Sequence, residues 1–153
     1  MNLSCQIKIK TTLNHLTNYL IYKMKIKKLK IYSNKTGDLV PISLKDNIPF
    51  KTKRIFIIYG KKNHIRADHA HYKCSQFLIP LCGTIIVNYE NKKSKFKKIL
   101  SLKKNNSLLL TPMTWCKIKF DSNNSKLMVF CDKEYNSSDY IRDYKKFLTM
   151  IKK

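Results

Sequence analysis

The chain has 153 residues, 43% of them hydrophobic, with nine tyrosines and seven phenylalanines, a composition that fits one folded domain and excludes a disordered chain. No apolar run reaches the length of a membrane span, and Asn14, His15, Thr17 and Asn18 interrupt any apolar stretch that would serve as a secretory signal. The net charge is +23, yet only Arg54, Arg66 and Arg142 are arginines; the other 29 of 32 basic residues are lysines spread along the chain. Base readout and phosphate clamping favour arginine. Abundant Lys, Asn and Ile therefore indicate compositional drift rather than a nucleic-acid partner, although the positive field favours capture of an anionic small molecule. The five cysteines, Cys5, Cys74, Cys82, Cys116 and Cys131, form no CxxC pair, which points to free thiols in a reducing cytoplasm and against a structural zinc site.

In chain order, residues 1–24 read as an N-terminal extension without assigned role, with a short amphipathic helix at Leu13–Ile21 and a new start at Met24 as its only features. From residue 25 to 153 the chain reads as one domain. Strands are predicted at 26–32, 38–43, 54–59, 65–72, 75–81, 84–89, 96–102, 107–111, 115–120 and 126–131, separated by polar turns such as Asn34-Lys35-Thr36-Gly37 and Asp121–Asn124. Many short strands at regular spacing indicate a sandwich or barrel. The period then changes: Ser137-Ser138-Asp139 supplies a cap, and Tyr140, Ile141, Tyr144, Phe147, Leu148 and Ile151 recur at helical spacing, predicting a helix over 138–151.

Within the fourth strand lies Arg66-Ala67-Asp68-His69-Ala70-His71, followed by Gln76 and Gly83. Strand side chains alternate, so His69 and His71 project to one face. Two of the chain's four histidines thus sit together beside one of its three arginines, which marks a chemical site.

His69-Ala70-His71, Gln76 and Gly83 follow the outline of the first cupin motif, with glutamine where metal cupins place glutamate. More specifically, the chain from about Leu29 to Phe147 resembles the sugar-nucleotide 3,4-ketoisomerases, the WxcM-like or FdtA-type cupins. The resemblance rests on Gly37–Ile42, Ile48-Pro49-Phe50 leading to Lys53-Arg54, Arg66–His71, Gln76, Pro112 with Trp115, and Tyr135 with Asp139–Tyr144. It implies an all-β, RmlC-like cupin jelly roll with a short C-terminal helix. It also implies a metal-independent homodimer with exchanged N-terminal strands, no cofactor, and conversion of dTDP-4-keto-6-deoxyglucose into its 3-keto isomer. That product feeds 3-amino-3,6-dideoxy sugars for cell-surface glycans such as lipopolysaccharide O-antigen.

Moving a ketone from C4 to C3 needs proton removal at C3, an enediolate, and protonation at C4. Histidine suits both transfers because it titrates near working pH. His71 is expected to be the shuttling base, with His69 as its partner. Arg66 and Arg54 are the expected diphosphate ligands; Gln76 is placed on a sugar hydroxyl and Tyr135 at the cavity mouth. Thr36 and Cys116 match positions at which related enzymes differ by product. Gln76 is a poor metal ligand and Cys116 stands where a second-motif histidine is expected, so the site is read as metal-free. Trp115 is read as core or pocket wall and Arg142 as an anchor of the terminal helix.

Two departures matter: Ala67 replaces a glycine of the family's pattern, which would force a rearrangement if the position needs positive φ, and Ile55-Phe56-Ile57 follow Arg54 where aromatics are common. Three other readings fit the same residues: an RmlC-like 3,5-epimerase, in which Asp68 or Asp132 would back the base; a non-catalytic sugar-nucleotide-binding cupin; and a charge-driven nucleic-acid-binding β domain.

Overall fold

The alternation of branched and aromatic residues between polar turns folds into strands that pair antiparallel throughout. The computed structural model describes residues 26–152; the expected extension, its helix at Leu13–Ile21, Met24 and Cys5 lie outside the described residues. The elements are β1 (Ile26–Lys27), β2 (Tyr32–Asn34), β3 (Gly37–Leu39), β4 (Arg54–Tyr59), β5 (Ile65–His71), β6 (Gln76–Cys82), β7 (Thr84–Glu90), β8 (Lys95–Ser101), β9 (Ser107–Leu110), β10 (Trp115–Phe120), β11 (Lys126–Cys131), a 3-10 turn (Ser137–Asp139), β12 (Tyr140–Ile141) and helix α1 (Tyr144–Lys152). Two five-stranded sheets run in the orders β1-β9-β6-β11-β4 and β12-β5-β10-β7-β8, with β2–β3 as a separate hairpin. This is the jelly roll expected from the sequence.

The main core lies between the sheets. Ile85, Val87 and Tyr89 alternate inward from β7, Cys116, Ile118 and Phe120 from β10, and Leu127, Val129 and Cys131 from β11. β6 and β11 are apolar on both faces because a second cluster forms behind them, where Phe77, Ile79 and Phe130 are covered by Leu29, Val40, Ile42, Ile48 and Phe50. A third cluster joins α1 to the other sheet through Ala70, Trp115, Ile141 and Phe147.

Three boundaries differ from the sequence reading. The strand expected at 26–32 breaks after Lys27: Leu29 is buried, its N–H donates to Asn105 Oδ1 at 3.0 Å, and its carbonyl accepts from Asn105 Nδ2. The strand expected at 38–43 stops at Leu39, shortly before Pro41, which has no N–H to donate. The helix expected at 138–151 begins only at Tyr144, capped by Asp143, whose Oδ1 accepts from the N–H groups of Lys145 and Lys146 at 2.8 and 3.1 Å. Residues 140–141 instead pair with His71 and Ala70 of β5.

Gly60 closes β4 against the core. A Cβ there would meet the Phe120 ring at 2.2 Å, and Phe120 is fully buried and cannot yield. Gly60→Ala is expected to lower the unfolding free energy by about 1–3 kcal/mol through overpacking, measured by urea denaturation; an unchanged midpoint would contradict this packing.

Candidate active site

The site is built on a bulge in β5. Ala67 and Asp68 both have left-handed backbone, φ 67° and 58°. Arg66 pairs with Ile118, Ala67 with Lys117 and His69 with Cys116, with a register shift between Cys116 and Lys117, so Asp68 is the extra residue of a β-bulge. In a regular strand Arg66 and His69, three apart, would face opposite sides. The bulge brings both onto the same cavity. Ala67 thus adopts the positive φ itself, at a cost of about 1–2 kcal/mol, and the loop is kept. The bulge is held from outside by Asp68 Oδ1, which accepts from Trp115 Nε1 at 3.0 Å and lies 3.2 Å from Lys117 Nζ.

The cavity between the sheets has a volume of about 460 Å³. Arg66, His69, Gln76 and Tyr140 give its polar lining, and Phe56, Leu78 and Val129 belong to its apolar floor. The His69 and His71 rings meet edge-on with centroids 5.0 Å apart, and the Tyr140 ring lies against both, at 4.8 and 4.3 Å.

His71 is buried, and its Nδ1 lies 3.0 Å from Asp139 Oδ2. The Asp139 carboxylate also accepts from the N–H of Lys73 at 2.8 Å and of Cys74 at 3.2 Å. A carboxylate already accepting from two amides is an acceptor toward imidazole as well, so Nδ1 carries the His71 proton and Nε2 holds a free lone pair. Nε2 is buried without a protein partner. Burial lowers the His71 pKa against the pull of Asp139. Burial brings His69 down to about 4, assisted by the cost of charging it beside a protonated His71 and by the charge of Arg142. Both imidazoles are therefore neutral near neutral pH.

Arg54 and His71 are not among the residues that line the cavity; the Arg54 guanidinium lies 5.3 Å from the ring of the lining residue Phe56 and 5.4 Å from the Tyr135 ring, with Nη2 3.5 Å from Cys131 Sγ. Tyr135 is exposed and reaches Tyr140 at 5.9 Å. Arg142 lies over the Tyr140 ring at 4.5 Å, beside the site. Cys116 is buried opposite His69, and burial pushes its thiol up to about 12. Thr36 lies outside the cavity lining, exposed in the β2–β3 turn, where its N–H and hydroxyl bond Asn34 Oδ1. Trp115 packs under α1 against Tyr144 and Phe147, as core.

Asp139 and Tyr140 were not singled out as site residues from the sequence. Asp139 read as a helix cap, and Asp68 and Asp132 were the carboxylates considered for backing a histidine. Neither is hydrogen-bonded to one: Asp68 is held by Trp115 and Lys117, and Asp132 accepts from the N–H of Ser75 at 2.8 Å. The available signal was a carboxylate followed by an aromatic residue inside the Asp139–Tyr144 match.

Among the described residues, ligand atoms of His71, Cys74 and Asp139 lie within 4.8 Å of one another. They fit a metal poorly. The Asp139 oxygens are taken by amides and imidazole, and contact with Cys131 and burial keep Cys74 a thiol, donating to the Ser75 carbonyl at 3.4 Å.

Two facing antiparallel sheets around this cavity, with His69 on its lining and His71 edge-on against His69, form a cupin jelly roll. The family model described as FdtA, WxcM-like, C-terminal, matches residues 22–152, and the chain belongs to this family. The TDP-4-oxo-6-deoxy-alpha-D-glucose-3,4-oxoisomerase of Aneurinibacillus thermoaerophilus is 32% identical over 118 residues, which are 76% of this chain and 84% of that protein. A 3,4-ketoisomerase from Helicobacter canadensis superposes with a TM-score of 0.78 at 30% identity, over 86% of this chain and 98% of its own. QdtA, a sugar 3,4-ketoisomerase from Thermoanaerobacterium thermosaccharolyticum solved with TDP, gives 0.78 at 29% identity, over 86% and 96%. The rmlC epimerase of Mycobacterium tuberculosis, at 11% identity and a TM-score of 0.67 over 75% and 66% of the two chains, shares the fold alone.

The neutral histidines make stability pH-dependent. The unfolded chain protonates His69 near 6.5 while the native state resists to about 4, so stability is full above 6.5 and falls as pH drops through this window. Urea unfolding across this range is expected to show a shallower loss in His69→Asn than in wild type; equal slopes would contradict the buried, neutral assignment.

Proposed function

We propose that this isomerase moves the ketone of dTDP-4-keto-6-deoxyglucose from C4 to C3, with His71 as the base. The Asp139-bound His71, with its proton held at Nδ1 and Nε2 unpartnered, is the observation that carries this reading. Nε2 takes the proton from C3, the C4 oxygen becomes an enediolate oxygen, and a proton exchanged with solvent is returned at C4 as the O3 proton is lost and the C3 ketone forms. His69, neutral and on the cavity, passes the hydroxyl proton between O3 and O4. Asp139 stabilises the imidazolium that forms transiently. Arg66 and Arg54 take the diphosphate and Gln76 a sugar hydroxyl. The 3-keto product is the form that an aminotransferase needs to install a 3-amino group, on the way to 3-amino-3,6-dideoxy sugars of surface glycans.

A homodimer with exchanged N-terminal strands accords with the exposed features of the chain. Edge strand β4 presents Ile55, Ile57 and Tyr59 at 49%, 41% and 69% exposure, and the β2–β3 hairpin presents Tyr32 and Leu39. Such exchange gives Thr36 a route to the partner's cavity. A cytoplasmic setting accords with free Cys74, Cys82, Cys116 and Cys131; among the described residues no helix is long and apolar enough to cross a membrane.

A carboxylate-backed histidine with a tyrosine against it, here Asp139, His71 and Tyr140, also suits a 3,5-epimerase. Proton NMR of the keto sugar with protein in D2O separates the two. A 3-keto species carrying deuterium at C4 is expected, slowed at least about 100-fold in His71→Asn and by a similar factor in Asp139→Asn. Deuterium at C3 and C5 with inversion would make it an epimerase, and binding without exchange would leave a sugar-nucleotide-binding cupin.

A further inference from the structure

The inner face of the β4-β11-β6 sheet carries three rows of side chains directly opposite one another. Ile58, Leu127 and Pro80 form one, Phe56, Val129 and Leu78 the next, and Arg54, Cys131 and Gln76 the last. Residues opposite across strands share a face with Cβ atoms about 5 Å apart. Two rows are apolar, and Phe56, Val129, Leu78 and Ile58 of them line the cavity; the third is polar, and its centre is a fully buried cysteine where the neighbouring rows hold aliphatic residues.

The sulfur receives both neighbours. Arg54 Nη2 donates to Cys131 Sγ at 3.5 Å, and Gln76 Nε2 at 3.9 Å. Arg54 makes no ion pair with a carboxylate among the described residues, and its Nε is buried without a partner. The Phe56 and Tyr135 rings lie beside the guanidinium, and the sulfur accepts from one of its amino groups. Gln76, tied through its nitrogen, keeps its carbonyl oxygen free to accept from a hydroxyl.

We propose that Cys131 is a positioning residue for substrate binding, its sulfur setting the Arg54 fork and the Gln76 amide as one unit toward the diphosphate and the sugar. This rests on the ligand roles given above to those two residues. Contact with Cys74 and with the Arg54 guanidinium draws the Cys131 thiol down to about 6 against burial, which strengthens the sulfur as an acceptor. Other ionisable groups around this row include Tyr140, Tyr135 and His71, near Arg54, and Asp132, beside Cys74.

The test compares Cys131→Ala and Cys131→Val, which lack an acceptor, with Cys131→Ser, which restores one. Both acceptorless variants are expected to raise KM for the keto sugar and Kd for TDP about tenfold while kcat stays within about twofold, and the serine variant to recover most of the loss. Because the chain has three arginines, the Arg54 Nε–H resonance is assignable by Arg54→Lys, and it is expected to shift or broaden in the alanine and valine variants and to return toward its wild-type position in the serine variant. Wild-type KM in the acceptorless variants, or a serine variant as impaired as alanine, would overturn the role. If wild-type protein neither binds TDP nor turns over the sugar, the ketoisomerase reading fails; the resonance then decides alone, and an unchanged Arg54 signal in the alanine and valine variants overturns the positioning.

Discussion

The carboxylate of Asp139 ties together pieces of chain that have no other reason to meet. It accepts from His71 Nδ1 and from the N–H groups of Lys73 and Cys74, while its own carbonyl accepts from the N–H of Tyr72 at 2.9 Å. These bonds fix the turn after β5, place β12 beside β5, and set the imidazole of His71 in one tautomer. They also seat Tyr140 against both histidines, since it follows Asp139 directly and pairs with His71. A largely buried carboxylate is costly unless its lone pairs are filled; here they are filled by His71 and by the turn that follows it.

The bulge at Ala67-Asp68 is the second constraint. It converts an odd spacing into a shared face, so that a cationic fork and an imidazole meet over an apolar floor. Its two left-handed residues are unfavourable locally, and the Trp115 indole, itself packed under α1, holds the outer side through Asp68. Helix, bulge and cavity are thereby coupled: loosening α1 frees Trp115, and with it the segment that presents Arg66 and His69.

How much of this was legible in the sequence depended on range. Strands β4 to β11 were readable because their alternation and turn residues are local. The pairing of His69 and His71 on one side followed from strand periodicity alone. The sharing of a face by Arg66 and His69 did not, because it depends on backbone dihedrals at Ala67 and Asp68 and on register with β10. The helix start was misplaced because Asp139 has the chemistry of a cap but its carboxylate is engaged by His71, at the end of β5 and 68 residues earlier in the chain, and no local pattern reports that. Cys131 closes an apolar strand and reads as core; only its place between Arg54 and Gln76 across two ladders reveals polar partners.

Proton transfer from C3 requires a neutral His71, with its proton on Nδ1 and its lone pair on Nε2. Long-range 15N–1H correlation spectra of the histidine rings, taken near neutral pH, test this directly. The expected result is an Nδ1-protonated His71 with an unprotonated Nε2, replaced by another ring state in Asp139→Asn. An Nε2-protonated tautomer or an imidazolium at neutral pH would contradict it, because neither leaves a base to take the C3 proton.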